Sequence, residues 1–569
     1  MFQTYDAPPE GAQAEHRQRI SHLRKQLAAK KLTAYVVPRA DQHQGEYVAP
    51  CDERLSWLTG FTGSAGFAVI AQDKAALFVD GRYTLQARTQ VPSDVITIET
   101  LEADALATWC KAELPPSAVI GFDPMLMTQA AFTRTERALG NDGRVLKPVA
   151  GNLVDRVWGR ERPAEPSAPI RPHKLQHAGQ SAPQKVARIQ KILREQGCDA
   201  TILTQPDSIA WLLNIRGADV AHNPVVLAFA VVPAEGAVEL FTNPDKLTAA
   251  ARKHLDGTAV VFEPAAFEAH LKALNTRETT VAIDPATTAF WITRRLAKAK
   301  TPHHTDPCRQ PKAVKTKAEI EGARAAHVRD GAAVVRFLAW LDAEAAKGSV
   351  DEISAARALE EFRRDTGALL EISFDTISGS GPNGAIVHYR VTEATNRLLK
   401  KGELYLVDSG AQYIDGTTDI TRTIAIGRPT KAMRRHVTLV LKGHIALARA
   451  QFPVGTRGVD LDSLARQALW QDGLDYAHGT GHGVGSYLSV HEGPQSISKR
   501  GMVALEPGMI VSNEPGYYRE GVYGIRIENL ILVSPAEQPA GGDRPMLSFE
   551  TLTLAPIDRA LITPELLTD

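Results

Sequence analysis

Two stretches in the first half of the chain show the same order of apolar and polar positions. LRKQLAAKKLTAYVVPRAD has apolar residues at helical spacing followed by a short apolar run, and IQKILREQGCDATILTQPD repeats that order. Short strand-like runs with turns follow in both, GFAVIAQDKAALFVDGRY and VVLAFAVVPAEGAVELFTN. Trp57 and Trp211 lie at corresponding places. The pattern predicts two α/β domains related by duplication, and a chance similarity between two common α/β patterns is the alternative.

The second half of the chain has a different pattern. KAEIEGARAAHVRDGAAVVRFLAWLDAEAA predicts one long amphipathic helix, VDEISAARALEEFRRDTG predicts another, and β-runs alternate with Gly-rich turns after them. A stretch rich in proline and polar residues, 159–183, is typical of a linker. We therefore predict an α/β domain over 1–158, this linker, a second α/β domain over 184–315 and a third domain over 316–569.

Composition changes this picture little. The chain has 569 residues, 44% of them hydrophobic and 23% charged, as expected of a multidomain globular protein. Lys plus Arg equals Asp plus Glu, 65 each, so no overall charge favours nucleic acid or an anionic membrane. The N-terminal segment lacks the apolar core of a signal peptide, and no apolar run is long enough for a membrane span. We expect a cytoplasmic protein that binds neither nucleic acid nor membrane.

The cysteines fit a reducing compartment. They are scattered and form no CxxC pair, which argues against a disulfide framework and against a thiolate zinc site. The four are Cys51, Cys110, Cys198 and Cys308.

One Gly-rich stretch, HGTGHGVGSYLSVHEGP, holds three histidines. His478 and His482 are four residues apart, the spacing that places two side chains on one face of a helix. Glycine at every second position, however, would cost about 1 kcal/mol per residue in a helix. It suits an extended chain that another backbone or a ligand approaches closely. We therefore predict a strand or loop here.

Two pairs of acidic residues occur at spacings typical of β-hairpins. Asp408 and Asp419 flank a turn-rich segment and can face each other across an antiparallel pair. A turn centred on Asp415-Gly416 would shift that register by two residues, so we expect a longer loop or a bulge. Glu514 and Glu528 are centred on Gly521, which suits a short hairpin loop and places the two glutamates opposite each other.

Each acid alone is more often a structural turn residue than a metal ligand. Four apolar-flanked carboxylates on two hairpins are different, because they cannot all stay ionised together without cations. With a neutral His482 they carry four negative charges, which two divalent ions would balance. Oxygen ligands with one imidazole favour Mn²⁺, Co²⁺, Fe²⁺ or Zn²⁺ over Ca²⁺.

The contexts of these residues, TTDITRT, HGTGHGVG, NEPGYY and GIRIEN, resemble the metal site of the pita-bread metallopeptidases (peptidase M24). The residues that match the five family ligands are Asp408, Asp419, His482, Glu514 and Glu528. The segments EYVAPCDERLSWLTGFTGSAG, VDGRYTLQA and GVGSYLSVHEGP extend the resemblance to the three-domain cytosolic Xaa-Pro aminopeptidases of this family. The resemblance implies two related N-terminal α/β domains of the creatinase/prolidase type, followed by a pita-bread catalytic domain.

The resemblance also implies an activity. The family cleaves the bond between an N-terminal residue and a following proline, using a hydroxide that bridges two divalent metals, usually Mn²⁺. Glu514 matches the general base, and His388, in AIVHYR, matches the histidine that hydrogen-bonds substrate and stabilises the tetrahedral intermediate. His478 and His491 match two further active-site histidines on the proline side of the cleft.

Three more residues match substrate-site positions of the family. Tyr518 and Arg526 match positions close to the metals, and a role in orienting the carboxylates is our interpretation for Arg526. Arg82, in FVDGRY, matches an arginine of the N-terminal domain that reaches toward the substrate. The family also implies a homodimer.

Two alternatives remain open at this point. A prolidase, specific for Xaa-Pro dipeptides, would carry the same ligands but usually has a single N-terminal domain. A pita-bread protein that only binds its target normally lacks metal ligands, whereas all five are present here.

Overall fold

A computed structural model describes residues 2–7 and 11–568 of the chain. They form two compact units, which are described separately. The N-terminal unit contains residues 11–174 and 180–308, and the C-terminal unit contains residues 2–7, 175–179 and 309–568. No helix in the described part of the chain has the length and apolar content required to cross a bilayer.

The elements up to residue 308 alternate between helices and short strands. The helices are α1 (Ala12–Lys30), α2 (Arg54–Thr59), α3 (Thr84–Gln90), α4 (Ala105–Glu113), α5 (Gln129–Leu139), α6 (Leu153–Trp158), α7 (Leu175–Ala178, in the C-terminal unit), α8 (Ala182–Glu195), α9 (Pro206–Leu213), α10 (Ala249–Leu255), α11 (Phe267–Leu274) and α12 (Phe290–Arg295). The strands are β1 (Ala34–Pro38), β2 (Phe67–Ala71), β3 (Ala75–Val79), β4 (Thr97–Thr100), β5 (Val119–Phe122), β6 (Val145–Pro148), β7 (Arg171–Pro172), β8 (Ala200–Leu203), β9 (Ile215–Arg216), β10 (Phe229–Pro233), β11 (Val238–Phe241), β12 (Ala259–Phe262) and β13 (Val281–Ala282).

Two sheets of the N-terminal unit share one five-strand topology, to which the first sheet adds β6. The first has the order β4-β3-β2-β1-β5-β6, and the second has the order β12-β11-β10-β8-β13. In both sheets, the strand after the long helix pairs antiparallel with the next long strand and parallel with a later one. Helices α2 and α9, which carry Trp57 and Trp211, follow β1 and β8 respectively. This common topology supports the predicted duplication.

The first sheet has a core on each face. Tyr35 and Val37 belong to one apolar cluster, together with Leu23 and Leu27 of α1. The neighbouring strand residues, among them Val36, belong to the other cluster, which includes residues of α4 and α5. Because strand side chains alternate between faces, one apolar run contributes side chains to both clusters.

The C-terminal unit combines long helices with curved antiparallel sheets. Its remaining helices are α13 (Arg309–Ala313), α14 (Lys317–Ala345), α15 (Glu352–Arg364), α16 (Lys431–Ala448) and α17 (Gly458–Trp470). Its strands are β14 (Glu371–Ile372), β15 (Ile377–Ser380), β16 (Leu404–Ser409), β17 (Ala411–Tyr413), β18 (Gly416–Thr417), β19 (Ile420–Ala425), β20 (Phe452–Pro453), β21 (Gly481–Gly483), β22 (Glu492–Ile497), β23 (Ile510–Asn513), β24 (Gly516–Arg519), β25 (Tyr523–Arg526), β26 (Asn529–Ala536) and β27 (Met546–Thr551).

The two helices predicted after residue 315 are α14 and α15. Helix α14 begins after Thr316, whose hydroxyl accepts from the Glu319 backbone while the Glu319 side chain accepts from the Thr316 backbone. This capping box explains why such a long helix begins at that position. The mixed helix and strand architecture agrees with the predicted fold class.

Residues 2–7 pack on the C-terminal unit. The backbone N–H of Phe2 donates to Glu360 of α15, and Gln3 exchanges two hydrogen bonds with the backbone of Thr376. Tyr5 lies in an apolar cluster with Val391. Residues 2–7 therefore lie outside the N-terminal unit, although we predicted them as part of the first α/β domain.

A buried ion pair joins α14 to α15, and its removal gives a stability prediction. Asp330 accepts from Arg363 at 2.8 and 3.1 Å, and both side chains are at most 4% exposed. Asp330→Asn leaves the Arg363 charge buried and unpaired, so we expect a loss of about 3–5 kcal/mol in the free energy of unfolding. Urea-induced unfolding of the full chain measures this loss.

The same two helices supply a matched control. Arg336 of α14 also pairs with Asp365, the residue directly after α15, but their side chains are 54% and 53% exposed. Asp365→Asn should cost less than about 1 kcal/mol. Equal losses in the free energy of unfolding for Asp330→Asn and Asp365→Asn would contradict the conclusion that burial makes the Asp330–Arg363 pair costly to break.

Candidate metal centre

The first acidic pair lies on the hairpin formed by β16 to β19. Tyr413 pairs with Gly416, so the turn is Ile414-Asp415, and no long loop is inserted. The same register places Asp408 opposite Thr421. Asp419 therefore lies two residues from the position opposite Asp408. This differs from the expected pairing, because facing aspartates require a turn at Tyr413-Ile414 and the observed turn lies one position later.

The second acidic pair lies on the hairpin that we predicted. Gly516 pairs with Arg526, and Asn513 pairs with Asn529. Both pairings have the same register, so Glu514 and Glu528 lie opposite each other between them. Gly521 is at the turn with a φ of 71°, a conformation that favours glycine. The prediction from the Gly521-centred spacing is confirmed.

His482 lies on strand β21, in the sheet that also contains β22 and β23. The helical alternative is thus excluded. A Cβ at Gly481 would be 1.9 Å from the Ser512 carbonyl oxygen, and one at Gly483 would be 2.5 Å from that of Glu492. We expected another backbone or a ligand to approach these glycines closely, and at these two positions neighbouring strands of the sheet do so.

The five predicted ligands converge in the C-terminal unit. Ligand atoms within 4.8 Å of one another come from Asp408, Asp419 and Glu528, and from His482, Glu514 and Glu528. The Nε2 atom of His482 is 3.4 Å from Asp419 Oδ2 and 3.5 Å from Glu514 Oε1. Its Nδ1 atom lies 2.9 Å from the Gly483 carbonyl and donates to it, which directs Nε2 toward the acids.

Neighbouring polar groups fix the orientation of these carboxylates. Arg526 donates to Asp408 Oδ2 at 2.7 Å, and Thr421 donates to Glu528 at 2.8 Å. Ser512 donates to Glu514 at 3.2 Å. We inferred an orienting role for Arg526, and its contact with Asp408 supports that inference. Thr421 and Ser512 were not predicted; they alternate with ligands along the strands, but no local motif distinguishes them.

Crowding and burial change the acid–base behaviour of the cluster. Burial and the nearby Asp419 raise the pKa of Asp408 to about 6, although Arg526 opposes the shift. Burial and the facing carboxylates raise the pKa of Glu528 well above its usual range. Burial alone would lower the pKa of His482, but its contact with Asp419 and the charge of Glu514 raise it to about 9. The cluster therefore favours cations, either protons or metal ions.

Two oxygen atoms test whether the residues fit metal ions. Asp408 Oδ1 and Asp419 Oδ1 are buried and have no hydrogen-bond partner in the described part of the chain. Buried carboxylate oxygens are normally paired, and an unpaired one is costly. These two oxygens lie beside the other candidate ligand atoms, which include one imidazole nitrogen. Such a donor set fits divalent transition-metal ions.

The other predicted histidines lie near this cluster or beside its supporting residues. His491 shares a candidate ligand group with Asp419 and His482, and its ring centroid is 4.4 Å from that of His482. His388 follows Val387, whose carbonyl oxygen is 3.4 Å from Nη1 of Arg526.

A hydrogen-bonded chain leads from Arg526 to His478. Arg526 donates to the Tyr518 hydroxyl at 2.6 Å, and that hydroxyl donates to His478 Nε2 at 2.8 Å. The Nδ1 atom of His478 donates to the Gly479 carbonyl at 2.7 Å. Burial lowers the pKa of His478 to about 4, so the imidazole is neutral near pH 7. The roles that we predicted for His388, His478, His491 and Tyr518 remain predictions.

Arg82 lies in the N-terminal unit, where its guanidinium pairs with Asp80 at 2.8 Å. The predicted reach of this residue toward the substrate also remains a prediction.

Comparison with known proteins covers almost the whole chain. The models of the Creatinase/Prolidase N-terminal domain match residues 19–157 and 161–319, and that of Metallopeptidase family M24 matches residues 321–535. A probable Xaa-Pro aminopeptidase P from Neosartorya fischeri is 41% identical over 97% of this chain and 87% of its own length. The chain belongs to the Xaa-Pro aminopeptidase P family. The family resemblance inferred from the metal-ligand motifs is confirmed.

Solved structures extend the comparison. An X-prolyl aminopeptidase from Caenorhabditis elegans, described as a cytosolic enzyme with a di-nuclear active site, has a TM-score of 0.94 and 35% identity. That match covers 97% of this chain and 93% of the nematode protein. An Xaa-Pro dipeptidase from Bacillus anthracis has a TM-score of 0.54 and 25% identity, covering 66% of this chain and 99% of its own. The Xaa-Pro aminopeptidase P family thus matches this chain over a greater length than the dipeptidase does.

Proposed function

We propose that the chain is a metal-dependent aminopeptidase that cleaves the peptide bond between an N-terminal residue and a following proline. The observation that carries this proposal is the convergence of four carboxylates and the Nε2 atom of His482 in a chain similar to Xaa-Pro aminopeptidase P over 97% of its length. The substrates would be peptides with proline at the second position, and the enzyme would act in the cytoplasm as a homodimer.

Asp408, Asp419, His482, Glu514 and Glu528 would hold two divalent ions. Mn²⁺ is our proposal for the native metal, with Co²⁺, Zn²⁺ and Fe²⁺ as the alternatives that the donor set permits. When bound, such ions supply Lewis acidity that activates water and polarises the scissile carbonyl. The unpaired buried oxygens of Asp408 and Asp419 support this assignment.

Glu514 would be the general base. Its side chain is 18% exposed, whereas those of Asp408 and Asp419 are 11% and 4% exposed, so it is more accessible to a substrate and to water. Its carboxylate would take a proton from the attacking water and pass it to the leaving proline nitrogen. That nitrogen leaves as a secondary amine and must be protonated to depart.

Residues beside the cluster would bind the substrate. His388 would donate a hydrogen bond to the scissile carbonyl oxygen as charge develops there. Burial keeps His478 neutral, and the hydrogen-bonded chain from Arg526 through Tyr518 fixes its ring, which suits a wall on the proline side of the cleft. His491 would line the same side, and Arg82 would be a further substrate-binding residue.

Substrate length separates the proposal from its alternatives. Metal-stripped protein with Mn²⁺ added back should release arginine from Arg-Pro-Pro but should not cleave the dipeptide Gly-Pro. Arg-Ala-Pro serves as the matched substrate without proline at the second position. Cleavage of the dipeptide alone would indicate a prolidase with an additional domain, and cleavage of neither with two bound ions would indicate a binding protein.

Metal uptake should release protons near neutral pH. His482 has a pKa of about 9 without metal, so it is charged at pH 7 and must lose its proton to become a ligand. We expect at least one proton to be released per chain, and the apparent affinity for Mn²⁺ to rise with pH up to about 9. Calorimetric titration in two buffers of different ionisation enthalpy counts the protons. Uptake with no proton release would contradict the assignment of His482.

A further inference from the structure

We propose that Glu352 is a positioning residue that holds the loop carrying His388 in its place beside the metal centre. This inference rests on the proposed function and extends it to a residue far from the ligands in sequence. Glu352 is the first residue of α15 and is fully buried. Nothing in its local sequence distinguishes it from the exposed Glu361 on the same helix.

The Glu352 carboxylate accepts hydrogen bonds from several donors of one loop. Its Oε1 accepts from the Ser380 backbone at 2.6 Å and from the Asn383 side chain at 3.0 Å. Its Oε2 accepts from the Tyr389 hydroxyl and from the Arg397 backbone, each at 3.1 Å. These four donors span residues 380–397, and His388 lies between them. One side chain therefore fixes both ends of the loop and the residue next to His388.

Glu352 is surrounded by donors, which suit oxygen acceptors and not a side-chain NH₂ group. The Arg397 guanidinium pairs with Glu403 at 2.9 Å, whereas Glu352 receives the Arg397 backbone N–H. The four donors use both oxygens of the carboxylate. In Glu352→Gln one oxygen becomes an NH₂ group, which would face N–H or O–H donors and leave some of them without an acceptor.

The loop that Glu352 holds also contacts the metal-centre hairpin. The Gly384 carbonyl lies so close to β25 that a Cβ on Gly524 would be 1.7 Å from it. Arg526, which orients Asp408, also points Nη1 at the Val387 carbonyl. A shift of this loop would therefore move His388 relative to the carboxylates. Displacement of a catalytic group by about 1 Å can cost about 100-fold in rate.

The test combines kinetics with a measurement that does not need activity. We expect Glu352→Gln to lower kcat/KM for Arg-Pro-Pro by about 10- to 100-fold while two Mn²⁺ ions remain bound. In a His388→Ala background the same substitution should change kcat/KM less than about twofold, because both changes act through one group. Hydrogen–deuterium exchange should increase in residues 380–397 and stay unchanged in β16 and β23.

Controls separate the possible failures. Glu361→Gln, on the same helix and exposed, should behave as the unmodified protein in every measurement. Asn383→Ala, at a half-buried position, should lower kcat/KM and increase exchange in 380–397 less than Glu352→Gln does. It replaces Glu352→Gln as the test if that variant does not fold. Unchanged exchange in 380–397, or an equal loss of kcat/KM with and without His388, would overturn the inference. Absence of cleavage by the unmodified protein would instead overturn the proposed function, and the exchange measurement would still test the loop.

Discussion

Glu514→Gln should lower kcat for Arg-Pro-Pro by about 1,000-fold, because the amide cannot accept a proton from the attacking water. The substitution keeps the shape of the side chain and one oxygen atom near His482, which is 3.5 Å from Glu514 Oε1. KM should change much less, since the lost function is proton transfer and the substrate contacts remain. Steady-state kinetics with the tripeptide measure both parameters.

The control for Glu514→Gln is Glu520→Gln. Glu520 is exposed at the turn between β24 and β25, on the same hairpin, and its neutralisation should leave kcat within about twofold of the unmodified value. A Glu514→Gln enzyme that retains more than about one tenth of the activity would rule out Glu514 as the general base.

Asp419→Asn should reduce the number of bound Mn²⁺ ions from two and lower kcat/KM by at least about 100-fold. Asp419 shares one candidate ligand group with Asp408 and Glu528 and another with His482 and His491, so its loss affects both. Atomic absorption on protein dialysed against Mn²⁺ gives the stoichiometry.

Asp415→Asn tests whether an effect of Asp419→Asn is specific to the ligand position. Asp415 lies in the turn of the same hairpin and pairs with Arg329 at 3.0 Å, away from the candidate ligand groups. We expect this variant to keep two ions and nearly full activity. If Asp419→Asn also keeps two ions, the ligand assignment is wrong at this position.

The two hairpins show what local sequence could predict. The glutamate pair was placed correctly because Gly521 marks the turn and the register follows from it. The aspartate pair was placed two residues off because facing aspartates require a turn at Tyr413-Ile414, whereas the turn lies at Ile414-Asp415.

The long-range contacts of the site could not be predicted. Thr421 reaches Glu528, and Glu352 reaches Asn383 and Arg397, across separations that no local pattern encodes. Thr421, Glu528 and Glu352 are polar side chains in buried positions, which a single sequence does not reveal. The glycines around His482 were predicted as part of a strand or loop that a backbone or a ligand approaches, but which strands approach Gly481 and Gly483 could not be predicted.

A metal titration of the full chain tests whether cleavage depends on two metal ions. Protein stripped with a chelator should not cleave Arg-Pro-Pro, and Mn²⁺ should restore cleavage up to a plateau at two ions per chain. That result would establish the carboxylate and histidine cluster as a working metal centre. Full cleavage by metal-free protein, or no cleavage with two ions bound, would contradict the proposed metal-dependent activity.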